Sequence, residues 1–303
     1  MRVGLTGSSG LIGRALAAAL VERGDDVVRF VRPGVSSGEG TQVRWDPAAG
    51  AVDEDDLRRV GGLDAIVNLA GAGIGDRRWT TKRREEIAIS RTAATSVVVE
   101  AIERLASGVG TLVSASAVGF YGESADTILG EGHPAGTDFL ARVCVAWEDG
   151  AMRAQRLGTR VATIRTGIVM SASGGALGRQ LPLFRRGLGG VLGTGRQWVS
   201  PISLTDEVRA ILWILDTDQE GPHNLVAPSP VTNRQFTAAL ASAVGRHARV
   251  PVPALALDVA LGRGLARGAV LASQRAVPER LMTEGFAFVH ADISSILAAA
   301  LSR

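Results

Sequence analysis

Met1–Gly13 reads MRVGLTGSSGLIG, and its reading decides the fold. Arg2 to Thr6 has the length and apolar character of a short buried strand. Gly7, Gly10 and Gly13 recur at every third position, and from Leu11 to about Arg23 the chain is an apolar, alanine-rich helix. A strand, a glycine-rich turn and a helix start together make an anion site. The first backbone N–H groups of the helix point outward, and the helix dipole favours negative charge there. The three glycines serve different ends. One allows the tight turn, one the close approach of backbone to a pyrophosphate, and one the close packing of helix on strand. The glycine spacing alone is a weak signal. Set between a strand and a helix, it predicts a dinucleotide cradle formed by Gly7, Ser8, Ser9, Gly10, Leu11, Ile12 and Gly13.

Outward from that turn, strands and helices alternate. The first helix stops near Gly24, and Asp26 to Val31 (DVVRFV) is a second strand ending at Arg32, before Pro33. In dinucleotide folds an acidic residue near this place bonds the ribose hydroxyls, whereas an arginine pairs with a 2′-phosphate. Arg32 therefore predicts NADP(H) rather than NAD(H). Residues 34–40 read as a loop and Thr41 to Trp45 as a strand. Asp53 caps a brief helix that Gly61-Gly62 ends, and Asp64 to Asn68 is a strand turning off through Leu69, Ala70 and Gly71. Those small residues admit a bound adenosine ribose. A helix over Thr81–Leu105, a strand over Thr111–Ser114 entering SASAVGFYG, a helix over Asp138–Leu157 and a strand over Arg160–Ile164 follow, the last leading into Arg165-Thr166-Gly167. The alternation predicts an α/β fold, a Rossmann-type doubly wound parallel sheet covered on both faces.

After Val169 the pattern changes. Ser171 to Gly195 is glycine-rich and reads as a lid or substrate loop. Thr205 is expected to cap a helix to about Leu215, and Asn224 to Val226 to return as a strand. Asn233–Val244, Asp258–Arg267, Pro278–Glu284 and Ala291–Leu301 read as helices, Val250–Pro253 as extended, and Glu284–Phe288 as a helix end and short strand. The predicted organisation is a dinucleotide domain over 1–170, with 205–227 returning to it. A smaller, mostly helical substrate domain takes 171–204 and 228–303.

Composition narrows the function. The chain has 303 residues, 46% hydrophobic and 21% charged, which fits a globular protein. Its mean hydropathy is +0.18, yet no apolar run reaches the ~18 residues of a membrane span. No signal peptide is visible before the glycine turn, so a cytoplasmic location and no membrane partner are expected. The net charge is only +3. The densest basic run, Arg77, Arg78, Lys82, Arg83 and Arg84, is followed at once by Glu85 and Glu86. That is a solvated helix start, and no nucleic-acid partner is expected. The single cysteine, Cys144, excludes an internal disulfide and reads as a small core residue. His133, His223, His247 and His290 are scattered without metal-ligand spacing.

The stretches Thr6–Gly13, Asn68–Gly71 and Ser116–Gly122 resemble extended short-chain dehydrogenase/reductases of the sugar-nucleotide epimerase/dehydratase type. Gly193–Gln197, leading to Asp206, is similar to a later stretch of the same family. The closer resemblance is to an atypical epimerase-like subfamily, carried by Asn68–Ala72, Ser90-Arg91, Gly119–Gly122, Phe139-Leu140, Trp147-Glu148, Gly189-Gly190, Pro228, Pro230-Val231, Pro278, Leu281 and Gly285-Phe286. It runs nearly end to end. It implies cofactor contacts also from Leu69, Ala70, Gly71, Ser114, Thr166 and Gly167.

The usual chemistry of that family needs a tyrosine acid/base and a lysine four residues later, which lowers a phenol pKa of about 10. Tyr121 is the only tyrosine, Lys82 the only lysine, and position 125 is alanine. Where the pair should fall the chain reads FLARVCVAWE. Ser116 matches the family serine that bonds the reacting oxygen. Tyr121 reads either as a neutral phenol that donates a proton or as a ring packed on nicotinamide or substrate. Arg91 stands where many relatives carry asparagine. It reads as a fork for an anionic substrate group or as a structural ion pair, for instance with Glu148. Gln197 and Trp198 sit where relatives contact substrate, although Trp198 also reads as a core residue. The leading expectation is an NADP(H)-binding oxidoreductase or epimerase-like enzyme acting on a small polar carbonyl or sugar-type substrate. The alternatives are a catalytically silent NADP(H)-binding redox sensor or partner-binding protein and, less favoured, an NAD-dependent sugar-nucleotide epimerase.

Overall fold

The computed structural model describes residues 1–34, 40–105, 107–248 and 250–302. Its centre is an eight-stranded sheet of β1 (Arg2–Thr6), β2 (Asp26–Val31), β3 (Gln42–Asp46), β4 (Ala51–Val52), β5 (Ala65–Asn68), β6 (Thr111–Ala117), β7 (Arg160–Thr166) and β8 (Gly221–Leu225). The strand order is β8-β7-β6-β5-β1-β2-β3-β4. All neighbours run parallel except β4, which turns back antiparallel on β3. The order reverses at β1, which lies between β2 and β5. Ligands of open α/β sheets bind in the crevice beyond the carboxyl ends of the strands at such a switch point.

Helices cover both faces because the inner strands bury side chains on both sides. All four residues of β5 are buried. On one face α2 (Glu54–Val60), α3 (Thr81–Arg104) and α4 (Phe139–Met152) bury Leu57, Val98, Ile102 and Ala151 with Val28, Ile66 and Leu112. On the other, α1 (Leu11–Glu22) and α6 (Leu204–Asp216) bury Leu16, Leu20, Ile211 and Ile214 with Val3, Leu5, Val67 and Ile164. A third apolar cluster joins α5 (Gly175–Arg185), α7 (Asn233–Ala243) and the last helix (Ile293–Leu301) through Leu177, Phe184, Phe236, Leu240 and Ile296. Among the described residues, no helix is long and apolar enough to cross a membrane.

Several sequence expectations are corrected. The glycine-rich stretch after Val169 holds the helix α5, with Pro182 inside it. Proline removes one helical hydrogen bond, and the burial of Leu177, Leu181 and Phe184 holds the helix against that loss. The cap of α6 is Ser203 rather than Thr205, its hydroxyl accepting from the Asp206 N–H at 2.9 Å. The helix expected over Asp258–Arg267 starts earlier, at Ala254 directly after Pro253, and is broken at Gly262 before helical turns resume over 263–270. No strand forms over 286–288, where Phe286 and Phe288 pack edge to face. Of the expected loop 34–40, positions 35–39 lie outside the described residues.

Candidate functional site

The turn after β1 has the shape its glycines predict. Gly7 has a φ of +65°, and a Cβ on it would stand 2.8 Å from the Leu69 carbonyl oxygen. On Gly13 a Cβ would stand 2.2 Å from the Gly7 carbonyl oxygen. The Gly10 N–H donates to that same oxygen at 2.9 Å, closing the turn. Gly10 caps α1 with no side-chain bond, and the first turn of α1 carries no acidic residue. The positive end of the helix is thus left to an external anion. Ser8 is half-buried, Ser9 and Gly10 are exposed, and Leu11 and Ile12 turn partly inward, Ile12 onto the core.

Behind this turn the switch point is closed by polar side chains. The Thr6 hydroxyl donates to Asn68 Oδ1 at 2.8 Å and accepts from the N–H groups of Leu69 (3.0 Å) and Ala70 (3.2 Å). Asn68 Nδ2 donates to Thr95 Oγ1 at 3.0 Å and reaches Ser114 Oγ at 3.4 Å. Thr6 and Asn68 therefore fix the Leu69-Ala70-Gly71 turn against the glycine loop. Ser114, expected among the cofactor contacts, is fully buried and forms the floor behind them. Arg32 is exposed one residue past β2, on the side of β1 opposite β5. The helix α5 touches both the turn after β1 and the stretch after β5. Its first glycines meet the Leu11 side chain, and Arg179 pairs with Asp76 at 2.6 Å and binds the Gly75 carbonyl.

At the carboxyl ends of β6 and β7, Ser116 and Arg165 are register partners. Ser116 Oγ donates to Glu148 Oε1 on α4 at 2.6 Å. Arg165 holds both oxygens of Glu148, from Nε and Nη2, each at 2.9 Å. Its Nη1 donates to the Tyr121 hydroxyl at 3.1 Å, and that hydroxyl donates to Asn224 Oδ1 at 2.7 Å. Tyr121 is 3% exposed, and burial pushes its phenol up to about 12. The hydroxyl is thus bonded on both sides, its proton to Asn224 and its oxygen to Arg165. Cys144, one turn before Glu148, is buried beside Ser116, and burial pushes its thiol up to about 11. It is a neutral packing group.

Arg91 makes no pair with Glu148, whose partner is Arg165. Its Nη1 donates to the carbonyls of Ala72 (3.0 Å) and Ile87 (2.9 Å), and its guanidinium lies 4.9 Å from the Trp147 ring centroid. Thr166 donates to Glu207 Oε1 at 2.8 Å, and Gly167 is pressed against the Ser200 carbonyl, where a Cβ would stand at 2.2 Å. Gln197 and Trp198, read as substrate contacts, are both bonded within the protein. Gln197 is buried, its amide donating to the Leu192 carbonyl at 3.0 Å. Trp198 is half-buried, its indole donating to Asp126 at 2.7 Å with Arg275 stacked 4.1 Å from its ring. Gln197 thus ties its own turn back to Leu192, and Trp198 ties that stretch to the loop after Tyr121. Sequence reading missed Thr6, Glu148, Arg165, Asn224 and Glu207 as members of these networks. The signal that could have found them was a polar residue inside an otherwise apolar strand, as in RVATIRT of β7, because such a residue needs a buried partner.

The profile of the NAD dependent epimerase/dehydratase family matches residues 3–227, and that of a domain of unknown function (DUF1731) matches residues 252–300. An "epimerase family protein" of Mycobacterium bovis is 43% identical over 302 residues, covering 99% of this chain and 98% of that one. The crystal structure of human epimerase family protein SDR39U1 with NADPH superposes with a TM-score of 0.88 at 29% identity, over 100% of both chains. UDP-glucose 4-epimerase of Thermus thermophilus, solved with NAD, shares the fold with a TM-score of 0.74 at 20% identity, over 98% of both chains. With the switch-point crevice, the glycine turn and these matches together, the chain belongs to the NAD dependent epimerase/dehydratase family.

Proposed function

We propose that this protein is an NADP(H)-dependent oxidoreductase acting on a small polar carbonyl or hydroxyl compound. The observation that carries the reading is the cradle. Gly7 and Gly13 leave no room for a Cβ beside Leu69 and Gly7, and the uncapped start of α1 offers its N–H groups to a pyrophosphate. A nicotinamide dinucleotide fits these residues, with Leu69, Ala70 and Gly71 along its ribose and Arg32 toward a 2′-phosphate. Bound there, it supplies or accepts the hydride.

The chain's own part is to move the proton. Ser116 stands at the carboxyl end of β6 with its hydroxyl on Glu148. It takes the proton of a substrate hydroxyl while passing its own to Glu148 Oε1, and the reverse sequence delivers a proton to a carbonyl oxygen. Arg165 fixes both oxygens of Glu148, so the acceptor stays aimed at Ser116.

The test is a titration of tryptophan fluorescence with NADPH and NADH, on wild type and Arg32→Ala. Wild type is expected to prefer NADPH, and Arg32→Ala to weaken NADPH about tenfold while leaving NADH unchanged, the size of one charged contact. Equal binding of both cofactors, unchanged by the substitution, would overturn the NADP(H) reading. A second reading, a silent NADP(H)-binding sensor, is favoured by one observation: the only tyrosine is committed to Asn224 and Arg165. Tight NADPH binding with no turnover of a broad carbonyl and alcohol panel would select it.

A further inference from the structure

Beside the crevice, Arg91 is a cation held largely inside the fold, whereas Arg32 is exposed. Arg91 leaves α3 under the turn that follows β5, where a Cβ on Gly71 would stand 3.1 Å from its Cγ. Among the described residues no carboxylate lies within ion-pair reach of it. Nearby Arg83, by contrast, pairs with Glu86 at 2.7 Å and with Asp76 at 3.7 Å. Burial and the like charge of Arg83 both act against the Arg91 cation. A largely buried charge without a counter-charge is costly.

The geometry shows which side of the guanidinium is free to bind. Nη1 is anchored to the Ala72 and Ile87 carbonyls, and the plane is supported by the Trp147 ring. Nε and Nη2 have no partner among the described residues, and neither atom is fully enclosed, so this edge reaches solvent. The Nε–Nη2 edge is the fork that matches the two oxygens of a carboxylate. A second donor close by also lacks an acceptor: the Trp147 indole N–H is buried and unpartnered among the described residues.

We propose that the Nε–Nη2 edge of Arg91 receives the carboxylate of the substrate, which makes the substrate a small hydroxy or oxo acid. The assignment rests on the oxidoreductase reading for its chemistry, since Ser116 and Glu148 then work on the hydroxyl or carbonyl of the same acid. It does not rest on that reading for its binding. An anionic oxygen can come from substrate or from cofactor phosphate, and the experiment separates the two.

Oxalate and its neutral counterpart oxamide are titrated calorimetrically into the protein with and without saturating NADPH. Wild type, Arg91→Lys and Arg91→Gln are compared, and NADPH and NADH affinities are measured for all three. Oxalate is expected to bind wild type and oxamide not. Arg91→Gln is expected to weaken oxalate by about tenfold or more, Arg91→Lys by less, with NADPH affinity held within about twofold. If oxalate and oxamide bind wild type equally or not at all, the proposal is wrong. It is equally wrong if oxalate binding survives Arg91→Gln. Loss of NADPH and NADH binding alike in Arg91→Gln, with no oxalate effect, would assign the edge to cofactor phosphate and also overturn the proposal. Failure of wild type to bind NADPH would count against the oxidoreductase reading instead, while the titration without cofactor still decides Arg91. Should Arg91→Gln fail to fold, the oxalate–oxamide contrast in wild type and the Arg91→Lys titration settle the matter.

Discussion

The turn after β1 and the cluster at the ends of β6 and β7 lie at the same edge of one sheet and are built on opposite principles. At the turn, side chains are removed. Gly7, Gly10 and Gly13 bring bare backbone together, and α1 starts with no cap of its own. At the cluster, side chains are supplied and bonded to one another. Ser116, Glu148, Arg165, Tyr121 and Asn224 form a continuous chain of hydrogen bonds. The first arrangement leaves donors unsatisfied for a ligand. The second satisfies nearly every donor internally, and the one tyrosine is bonded into that chain.

The comparison can be broken most forcefully at Arg165. Arg165 is 4% exposed, and replacing it with methionine leaves the half-buried Glu148 carboxylate with Ser116 as its remaining partner. Arg165→Met is expected to cost about 3–5 kcal/mol in urea unfolding, the usual loss when half of a buried pair is removed. A loss under about 1 kcal/mol would mean that the cluster does not hold the fold. At the turn, Gly13→Ala puts a methyl group against the Gly7 carbonyl, where only backbone can yield. NADPH affinity is expected to fall about a hundredfold, near 3 kcal/mol, in a fluorescence titration. Unchanged affinity in a folded variant would refute the cradle.

Tyr121→Phe sharpens the contrast from the other side. It strands Asn224 Oδ1 and leaves Arg165 Nη1 with the Glu131 carbonyl alone, so a stability loss of about 1–3 kcal/mol is expected with NADPH binding unaltered. A clear loss of NADPH affinity would instead place the ring against the cofactor.

The smallest effect concerns Glu207, which lies between the two regions. It is fully buried with Thr166 as its partner, and among the described residues Oε2 has none. Burial pushes its carboxyl up from the ordinary 4.5 to about 8. Between those values the folded protein holds a proton that the unfolded chain has released. Stability from this group therefore declines as pH rises through that window and levels off above it. Glu207→Gln, which mimics the protonated acid, is expected to match wild type near pH 5 and to be more stable by about 1–2 kcal/mol near pH 8. Melting curves across the window would show it, and parallel profiles for the two proteins would contradict the buried acid.

Much of this molecule follows from local sequence. The glycine spacing of Gly7–Gly13, the apolar strands and the breaks at Gly24 and Gly61 led directly to β1, α1, β2 and a doubly wound parallel sheet. Such features depend on backbone conformation and on periodic burial, which neighbouring residues dictate. The helix α5 was not legible, because Pro182 and its glycines argue locally for a loop and only burial of Leu177, Leu181 and Phe184 against distant helices overrides them. The same division holds within the site. Sequence determined that a glycine turn at residues 7–13 joins a strand to a helix, that Arg32 follows β2, and that no lysine stands four residues after the single tyrosine. Only the tertiary structure decided that Glu148 belongs to Ser116 and Arg165, that Tyr121 is enclosed, and that Arg91 keeps an open edge. Those partners are separated by 17 to 103 residues, as in Arg165–Glu148 and Tyr121–Asn224. What a polar side chain does is set by whatever the folded chain brings within hydrogen-bonding distance of it.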